Sequence, residues 1–363
     1  MKKVISILLA MIMLLFAVGC TAQEAPDSTG GEFGTQGGTS ENGDVSTVGT
    51  PIVIYTNSGS DNRDLWLTKR AAEAGFNITV VNGAIVSRLV AEKNSPIADV
   101  CWGLNSFSYE ILKAQNVLEA YTPVWADQVS EGLNDSEGYY HATALQAVLL
   151  CYDSNQLPTS QAPTDWIDLW TDPAYAGKYE FATDTGTGTF RCFLAGILSR
   201  YADENGYLGV SDEGWKQVDM YYENGISASS GTDLYAKIAD PSSSVVMGQI
   251  WSSGVEARDA QYGTVTEYVV PEVGVPFAVE ALALVRGSKN AAEAKRFIDW
   301  FGSSEIQAEY AREFSTIPAN ELAASSANEF SQEIAQLKRQ DIDWVWVAEH
   351  IDDWCEEIEL MYK

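Results

Sequence analysis

Beyond about residue 50, short apolar runs alternate with longer segments of helical period. Residues 52–55, Ile-Val-Ile-Tyr, read as a strand, and beyond the turn Asn57-Ser58-Gly59-Ser60 residues 65–74 read as a helix. Residues 77–81 form the next strand, followed by Asn82-Gly83-Ala84 and a helix over 85–92. A third strand, 98–102, leads through Asn105-Ser106 into a helix that runs through Ala114. The rhythm resumes with strands at 148–152 and 179–182, and Thr185-Gly186-Thr187-Gly188-Thr189 opens a helix over 190–201. A strand at 245–251, the turn Ser252-Ser253-Gly254 and a helix at 255–261 repeat the unit, with further strands at 265–270 and 281–285. Residues 291–301 are amphipathic, with Ala294, Phe297, Ile298 and Phe301 on one stripe, and 344–362 are helical by pattern. Repeated strand–helix–strand units predict an α/β fold with mostly parallel sheets and flanking helices.

The first 50 residues follow another pattern. Lys2 and Lys3 precede an apolar run over 4–18, interrupted only by Ser6, and then Gly19-Cys20. A basic start, an apolar stretch and a small residue predict a secretory signal over 1–20. The run also approaches the length of a short membrane span, so a retained anchor helix is the alternative. Ala17-Val18-Gly19-Cys20 resembles the bacterial lipobox, which implies lipidation of Cys20 and a lipid anchor; an ordinary cleaved signal is the plainer reading. Residues 21–50 are rich in Gly, Ser, Thr and acids, cannot bury enough surface to fold, and are expected to form a flexible tether.

The remaining body is long enough for two lobes with their own cores. The chain of 363 residues carries a net charge of −29; without Lys2 and Lys3 it has 20 basic against 51 acidic residues, a net charge of −31. That balance excludes nucleic-acid binding, which requires basic surface against phosphates. The four cysteines beyond Cys20 have neither CxxC nor zinc spacing, and Cys101, Cys151 and Cys192 lie in apolar segments as expected of buried thiols. An exported protein can oxidise a pair, and the spacing selects none.

Candidate binding chemistry gathers at the strand-to-helix junctions. In open α/β sheets, ligands bind beyond the carboxyl ends of the strands. Five turns there are small, polar and free of Lys, 57–60, 82–84, 105–106, 185–189 and 252–254, and from them and their flanks Asn57, Ser58, Gly83, Ala84, Asn105, Ser106, Thr185, Gly186, Thr187, Trp251 and Ser252 are the candidate ligand-binding residues. Such residues cap helices and present backbone N–H groups to anionic ligand atoms. Each is equally explained as an ordinary helix cap. Thr185-Gly186-Thr187 lacks the third glycine of a dinucleotide fingerprint and the Gly-Lys-Ser/Thr of a phosphate loop. Arg191 is expected to reach a ligand or to pair with Asp184.

The body resembles a family of ABC-transporter solute-binding proteins that take ferric iron, 2-aminoethylphosphonate, thiamine, polyamines or sugar phosphates. Val53-Ile54-Tyr55-Thr56 resembles the opening strand, and Ala98-Asp99-Val100-Cys101-Trp102-Gly103 the family's Ala-Asp-Val-x-Trp-Gly strand. Tyr152-Asp153-Ser154-Asn155-Gln156-Leu157-Pro158 stands where the family has a Tyr-Asn…Leu-Pro crossover. Trp166-Ile167-Asp168-Leu169-Trp170, with Pro173, Tyr175, Gly177 and Lys178, is similar to a third stretch; Glu280 to Val285, with Asn290, Ala294, Phe297, Ile298, Asp299 and Gln307, is similar to the closing one. The resemblance covers about residues 51–320. It implies a two-lobed, type II periplasmic-binding-protein-like fold with a hinge, a monomer that captures a small-molecule ligand for an ABC permease, and a place outside the cell membrane. Lobe 1 is expected over 51–145 plus 272–317, lobe 2 over 146–271, and 318–363 as C-terminal helices packing on a lobe.

Iron-binding members use an adjacent pair of tyrosines at the place where this chain reads Ile250-Trp251-Ser252-Ser253. Tyr221-Tyr222 and Tyr139-Tyr140 lie in other segments, and the two histidines, His141 and His350, have no ligand spacing, so neither a metal site nor a cofactor is expected. An organic ligand remains. The small turns suit phosphonate, phosphate or carboxylate oxygens; Trp102 and Trp251 suit a cationic group, and Asp61, Asn62, Asp184 or Glu280 an ammonium. A zwitterion such as 2-aminoethylphosphonate satisfies both halves. Ferric iron, thiamine and polyamines are the alternatives, as is a ligand sensor uncoupled from transport. An enzyme would need a nucleophile elbow, an HExxH or a Ser/Cys–His constellation, none of which stands out in the sequence.

Overall fold

The computed structural model describes residues 49–229 and 232–362. The signal, Cys20 and nearly all of the tether lie outside them. The strands are β1 (Pro51–Thr56), β2 (Asn77–Asn82), β3 (Val100–Leu104), β4 (Leu118–Glu119), β5 (His141–Asp153), β6 (Glu180–Phe181), β7 (Ala202–Tyr207), β8 (Ile226–Ser227), β9 (Met247–Trp251), β10 (Thr266–Val269), β11 (Phe277–Val285) and β12 (Ile317–Pro318). The helices are α1 (Arg63–Glu73), α2 (Ile85–Glu92), α3 (Ser106–Ala114), α4 (Asp168–Thr171), α5 (Gly188–Leu198), α6 (Asp212–Asn224), α7 (Leu234–Ile238), α8 (Val255–Tyr262), α9 (Ala291–Phe301), α10 (Ser304–Phe314), α11 (Glu329–Ala335) and α12 (Trp344–Tyr362).

β1 pairs in parallel with β2 and β3, as the strand–helix–strand pattern predicts. Alternate residues of β1 face opposite sides of this sheet. Ile52 and Ile54 join a core with Leu67, Trp102 and Phe297, whereas Tyr55 packs with Ile85, Leu89 and Leu112 under α2 and α3. The expectation of mostly parallel sheets holds for these pairs and for β6–β8. It fails for the rest: β11 runs antiparallel to β3 and β5, and β9, β10 and β12 run antiparallel to β5, so the main sheet is mixed. The reason is that β5 and β11 run directly between the two groups of strands without a crossover helix.

β5 organises the molecule. Residues 141–147 pair with β11, and residues 148–153 pair with β9 and β10, so one unbroken strand changes partners between Ala147 and Val148. All thirteen residues of β5 are buried. It begins seven residues before the strand expected at 148, and β11 begins four before the one expected at 281. Thr143, Gln146 and Glu280 interrupt the apolar pattern in these added stretches, which is why periodicity alone stopped short. The helices α6 and α10 were not anticipated; Asp212 to Asn224 is polar on most of its turns, with Val218, Tyr221 and Tyr222 as its buried residues beside Gly214 and Gln217.

The tail crosses both groups of strands. Trp344 at the start of α12 stacks beside Phe107 of α3, with centroids 6.1 Å apart. Further along, Trp354 donates to Leu208 O at 2.9 Å, Arg191 pairs with Asp352 at 2.6 Å, and Tyr362 stacks on Tyr222 at 4.2 Å. Arg191 therefore meets Asp352 rather than Asp184, because α12 covers the start of α5. Cys101, Cys151, Cys192 and Cys355 are buried thiols; burial pushes Cys101 up to about 12, which makes it inert as a nucleophile.

Candidate ligand-binding site

A cavity of about 460 Å³ opens beyond the carboxyl end of β1. Asn57, Ser58, Ser60, Asp61 and Arg63 supply one wall, from the β1–α1 turn. Thr189, Asp233, Tyr235, Gln249, Trp251, Ser253 and Arg258 supply the other, from the starts of α5, α7 and α8 and the end of β9. Gln146 of β5 and Glu280 of β11 form the floor. The lining is therefore charged and polar, with Leu234, Ile250, Tyr235 and Trp251 as its apolar surfaces.

Glu280 is 8% exposed. Its Oε1 accepts from Gln146 Nε2 at 2.5 Å, lies 3.2 Å from Ser58 Oγ and stands 3.9 Å from Arg63 Nη1. Its Oε2 has no hydrogen-bond partner among the described residues. β11 changes register between Glu280 and Ala281, a bulge that aims the carboxylate out of the ladder. Gln146 Oε1 accepts from Ser253 Oγ at 2.6 Å, and Ser253 Oγ in turn accepts from Arg63 Nη2 at 3.0 Å. Opposite, Arg258 stands 3.5 Å from Asp233 Oδ2 and donates to Gly254 O at 3.2 Å. Two arginines and three carboxylates thus face one cavity.

Burial pushes the Glu280 carboxyl above its usual 4.5, while Arg63, Ser58 and Gln146 pull it down without cancelling the rise. A carboxyl raised in the folded state binds its proton more readily there than in the unfolded chain. Its stabilising contribution is complete below 4.5 and is lost as pH rises through the raised value. Melting temperatures measured across that window should show wild type losing stability relative to Glu280→Gln as pH rises. A difference that stays flat with pH would contradict the assignment.

Of the expected binding residues, Asn57, Ser58, Trp251 and Glu280 line this cavity, as does Asp61. The others lie off it, with their polar groups used within the chain. Asn105 accepts from Ser108 N at 3.2 Å and Ser106 Oγ from Val279 N at 3.1 Å. Thr185 Oγ1 donates to Glu359 of α12, Gly186 N donates to Asp184 at 2.8 Å, and Thr187 caps α5 through Phe190 N at 3.3 Å. Ser252 Oγ accepts from Ala147 N at 3.2 Å. Gly83 and Ala84 are exposed; Gly83 N donates to Thr56 O at 3.3 Å, and the neighbouring Asn82 side chain packs against Gly59. Trp102 is fully buried against Phe301 and Tyr310 and is a core residue, not part of a cation box. Tyr221, Tyr222 and Tyr140 are packed in the core, and Tyr139 is half-buried.

Ser60, Thr189 and Ser253 of the cavity lining belong to the turns singled out in the sequence, whereas sequence reading missed Arg63, Gln146, Gln249, Asp233 and Arg258. A signal existed for two of them. Arg63 is a cation on the first residue of a helix, and Gln146 is a lone amide in an apolar strand. Asp233 and Arg258 meet only through tertiary packing. Among the described residues, no group of three or more His, Cys, Asp and Glu is placed to hold a metal ion, and no helix is long and apolar enough to cross a membrane.

A mixed α/β sheet whose central strand changes partners beside a polar cavity is the fold of the type II periplasmic binding proteins. Iron-bound HitA from Pseudomonas aeruginosa superposes with a TM-score of 0.72 at 16% identity, over 86% of this chain and 99% of that one. AfuA from Actinobacillus pleuropneumoniae, with exogenous fructose-6-phosphate bound, gives 0.70 at 21% identity, over 85% and 99%. Residues 95–344 match the family model of the bacterial extracellular solute-binding proteins. The "Probable ABC transporter periplasmic-binding protein y4fP" of Sinorhizobium fredii is 33% identical over 313 residues, 85% of this chain and 86% of that protein. The chain belongs to this family: it is the substrate-binding component of an ABC importer, a binding protein and not an enzyme.

Proposed function

We propose that the cargo is a small zwitterion bearing an anionic phosphonate, phosphate or carboxylate and a cationic amine, of which 2-aminoethylphosphonate is the model. The observation that carries this reading is the meeting of Arg63 and Arg258 with Asp61, Asp233 and Glu280 around one cavity. The volume accommodates molecules up to the size of a sugar phosphate, so charge decides. A phosphate ester would add negative charge where carboxylates already outnumber arginines. A polyamine would leave both arginines facing cations. Ferric iron calls for several hard anionic oxygens gathered at one point; Tyr235 is the sole tyrosine of the lining, and among the described residues no three of His, Cys, Asp and Glu are placed to hold a metal ion. A zwitterion places opposite charges against both sets.

In this reading residues 51–145 with 272–317 and residues 146–271 are the two lobes, supported by the exchange of partners along β5. The tail from 318 packs against them. The ligand bridges the lobes and shifts the population towards the closed form that a permease recognises. Residues 1–20 act as a lipoprotein signal, Cys20 carries the lipid, 21–50 tether the body outside the membrane, and the protein works as a monomer.

A thermal-shift panel tests the ligand class. It contains 2-aminoethylphosphonate, ethylphosphonate, ethanolamine, fructose 6-phosphate, thiamine, spermidine and Fe³⁺. A ligand at 100 times its Kd stabilises the folded state by about 2.7 kcal/mol. The expected result is a rise of several degrees with 2-aminoethylphosphonate and little with either half-molecule. A larger rise with fructose 6-phosphate or Fe³⁺ would replace the zwitterion reading.

A further inference from the structure

The start of α1 breaks three local rules at once. Asp61 and Asn62 are consecutive non-glycine residues in the left-handed region, at φ 55° and 64°. Asn62 occupies the N-cap position yet makes no side-chain cap bond. Arg63 then places a cation at the positive end of the helix dipole, where anions are favoured. Departures from local preference that converge on one turn are expected where function requires them. Their joint effect is to aim Arg63 across the cavity. The residue is only 7% exposed, its guanidinium carbon lies 5.5 Å from the Phe314 ring centroid and 5.9 Å from that of Tyr310, and its Nε has no hydrogen-bond partner among the described residues.

What Arg63 reaches is equally specific. Ser253, its hydrogen-bond acceptor, belongs to the opposite wall, on the turn between β9 and α8. Ser253 is tied to Gln146, one residue before β5 changes partners, and Gln146 to Glu280 at the bulge of β11. Glu280 stands 3.9 Å from Arg63 Nη1, and this long ion pair closes the ring. Both walls and both strands of the crossing therefore share one chain of polar contacts.

We propose that Arg63 is a positioning residue that fastens the two walls of the cleft together before ligand arrives and holds Glu280 in place for it. The proposal rests on the two-lobe reading but not on any particular ligand. Without ligand the cavity walls are joined by the hydrogen bond from Arg63 to the neutral Ser253 hydroxyl, beside which Ser315 Oγ donates to Glu256 of α8 at 2.7 Å, and Glu280 keeps one oxygen unpartnered. The Arg63 bond is weak enough to open the cleft and directional enough to bias it shut. Arg63 Nε and Glu280 Oε2 are both buried and without a hydrogen-bond partner among the described residues, so a ligand that parts the walls would reach two polar groups already held in place, which lowers the ordering that binding must impose.

The test needs no ligand. Spin labels at Ser87→Cys and Asp212→Cys, both exposed and one on each side, report the distance across the cleft in the full chain. The native cysteines beyond Cys20 are buried and escape labelling. Arg63→Gln is expected to broaden the distribution towards longer distances; Ser253→Ala should do the same, and the two together no more than either alone. Arg63→Lys, which can still donate to Ser253, should recover part of the short-distance population. Should Arg63→Gln fail to fold, Ser253→Ala decides, because it leaves Arg63 packed beneath Tyr310 and Phe314. Distributions for Ser253→Ala and for any folded Arg63→Gln that superimpose on wild type would overturn the proposal. A merely structural Arg63 would lower the melting temperature without moving the distances. A wild-type distribution indifferent to every compound of the ligand panel would count against the ligand reading instead, and leaves this comparison standing.

Discussion

Glu280→Gln is expected to weaken binding of 2-aminoethylphosphonate about 10- to 100-fold, read by titration calorimetry. The side chain keeps its shape and can still meet Ser58 and Gln146, so what is lost is the charge offered through Oε2. Hydrogen bonds to charged groups contribute about 1.5–3 kcal/mol, and each 1.4 kcal/mol is a factor of about ten. Ethylphosphonate has no amine to offer that oxygen, so its weaker binding should hardly change. Equal losses for both compounds would mean that Glu280 acts through the lining at large and not on a cationic group. An unchanged affinity for the zwitterion would remove Glu280 from the site.

The largest stability effect is expected far from the cavity. Trp354→Ala should destabilise the fold by about 3–5 kcal/mol in urea unfolding, the range for emptying a buried aromatic site. Trp354 is fully buried, lies 5.0 Å from Trp346 between ring centroids, and donates to Leu208 O at 2.9 Å. The carbonyl would lose its partner as well as the ring its contacts. A cost below about 1 kcal/mol, the scale of a surface change, would show that α12 is an appendage. The prediction bears on function because α12 takes the hydroxyl of Thr185 and the guanidinium of Arg191. The turn that looked most like a ligand loop is thereby committed to holding the tail.

That turn illustrates how far periodicity carries. Thr185-Gly186-Thr187 has the composition of a binding loop, and composition does not distinguish a hydroxyl pointing at a cavity from one pointing at a helix 174 residues further along. Asn105, Ser106 and Ser252 are similar: small polar residues at helix starts serve as caps or brace strands, and the same chemistry suits both uses. Asn57, Ser58 and Glu280 were found because β1 and β11 follow the family pattern closely enough to place their ends. Trp102, in contrast, sits within β3 at a position whose side chain turns inward, which follows from the sheet's two faces and not from residue type.

The chain by itself determined the α/β class and the ends of β1, α2, α3, α9 and α12 to within a residue. These depend on local period and on turn residues, both of which are written in one dimension. Only the tertiary structure decided that the sheet is mixed, that β5 passes unbroken from one set of partners to the other, and that Arg63, Gln146, Ser253 and Glu280 close a ring. Residues 63 and 280 are separated by more than two hundred positions, and their meeting depends on how the strands pair. The polar residues that build the site are also those that blurred the strand pattern, because a buried amide or carboxylate is tolerated in an apolar strand only where the folded chain supplies its partners.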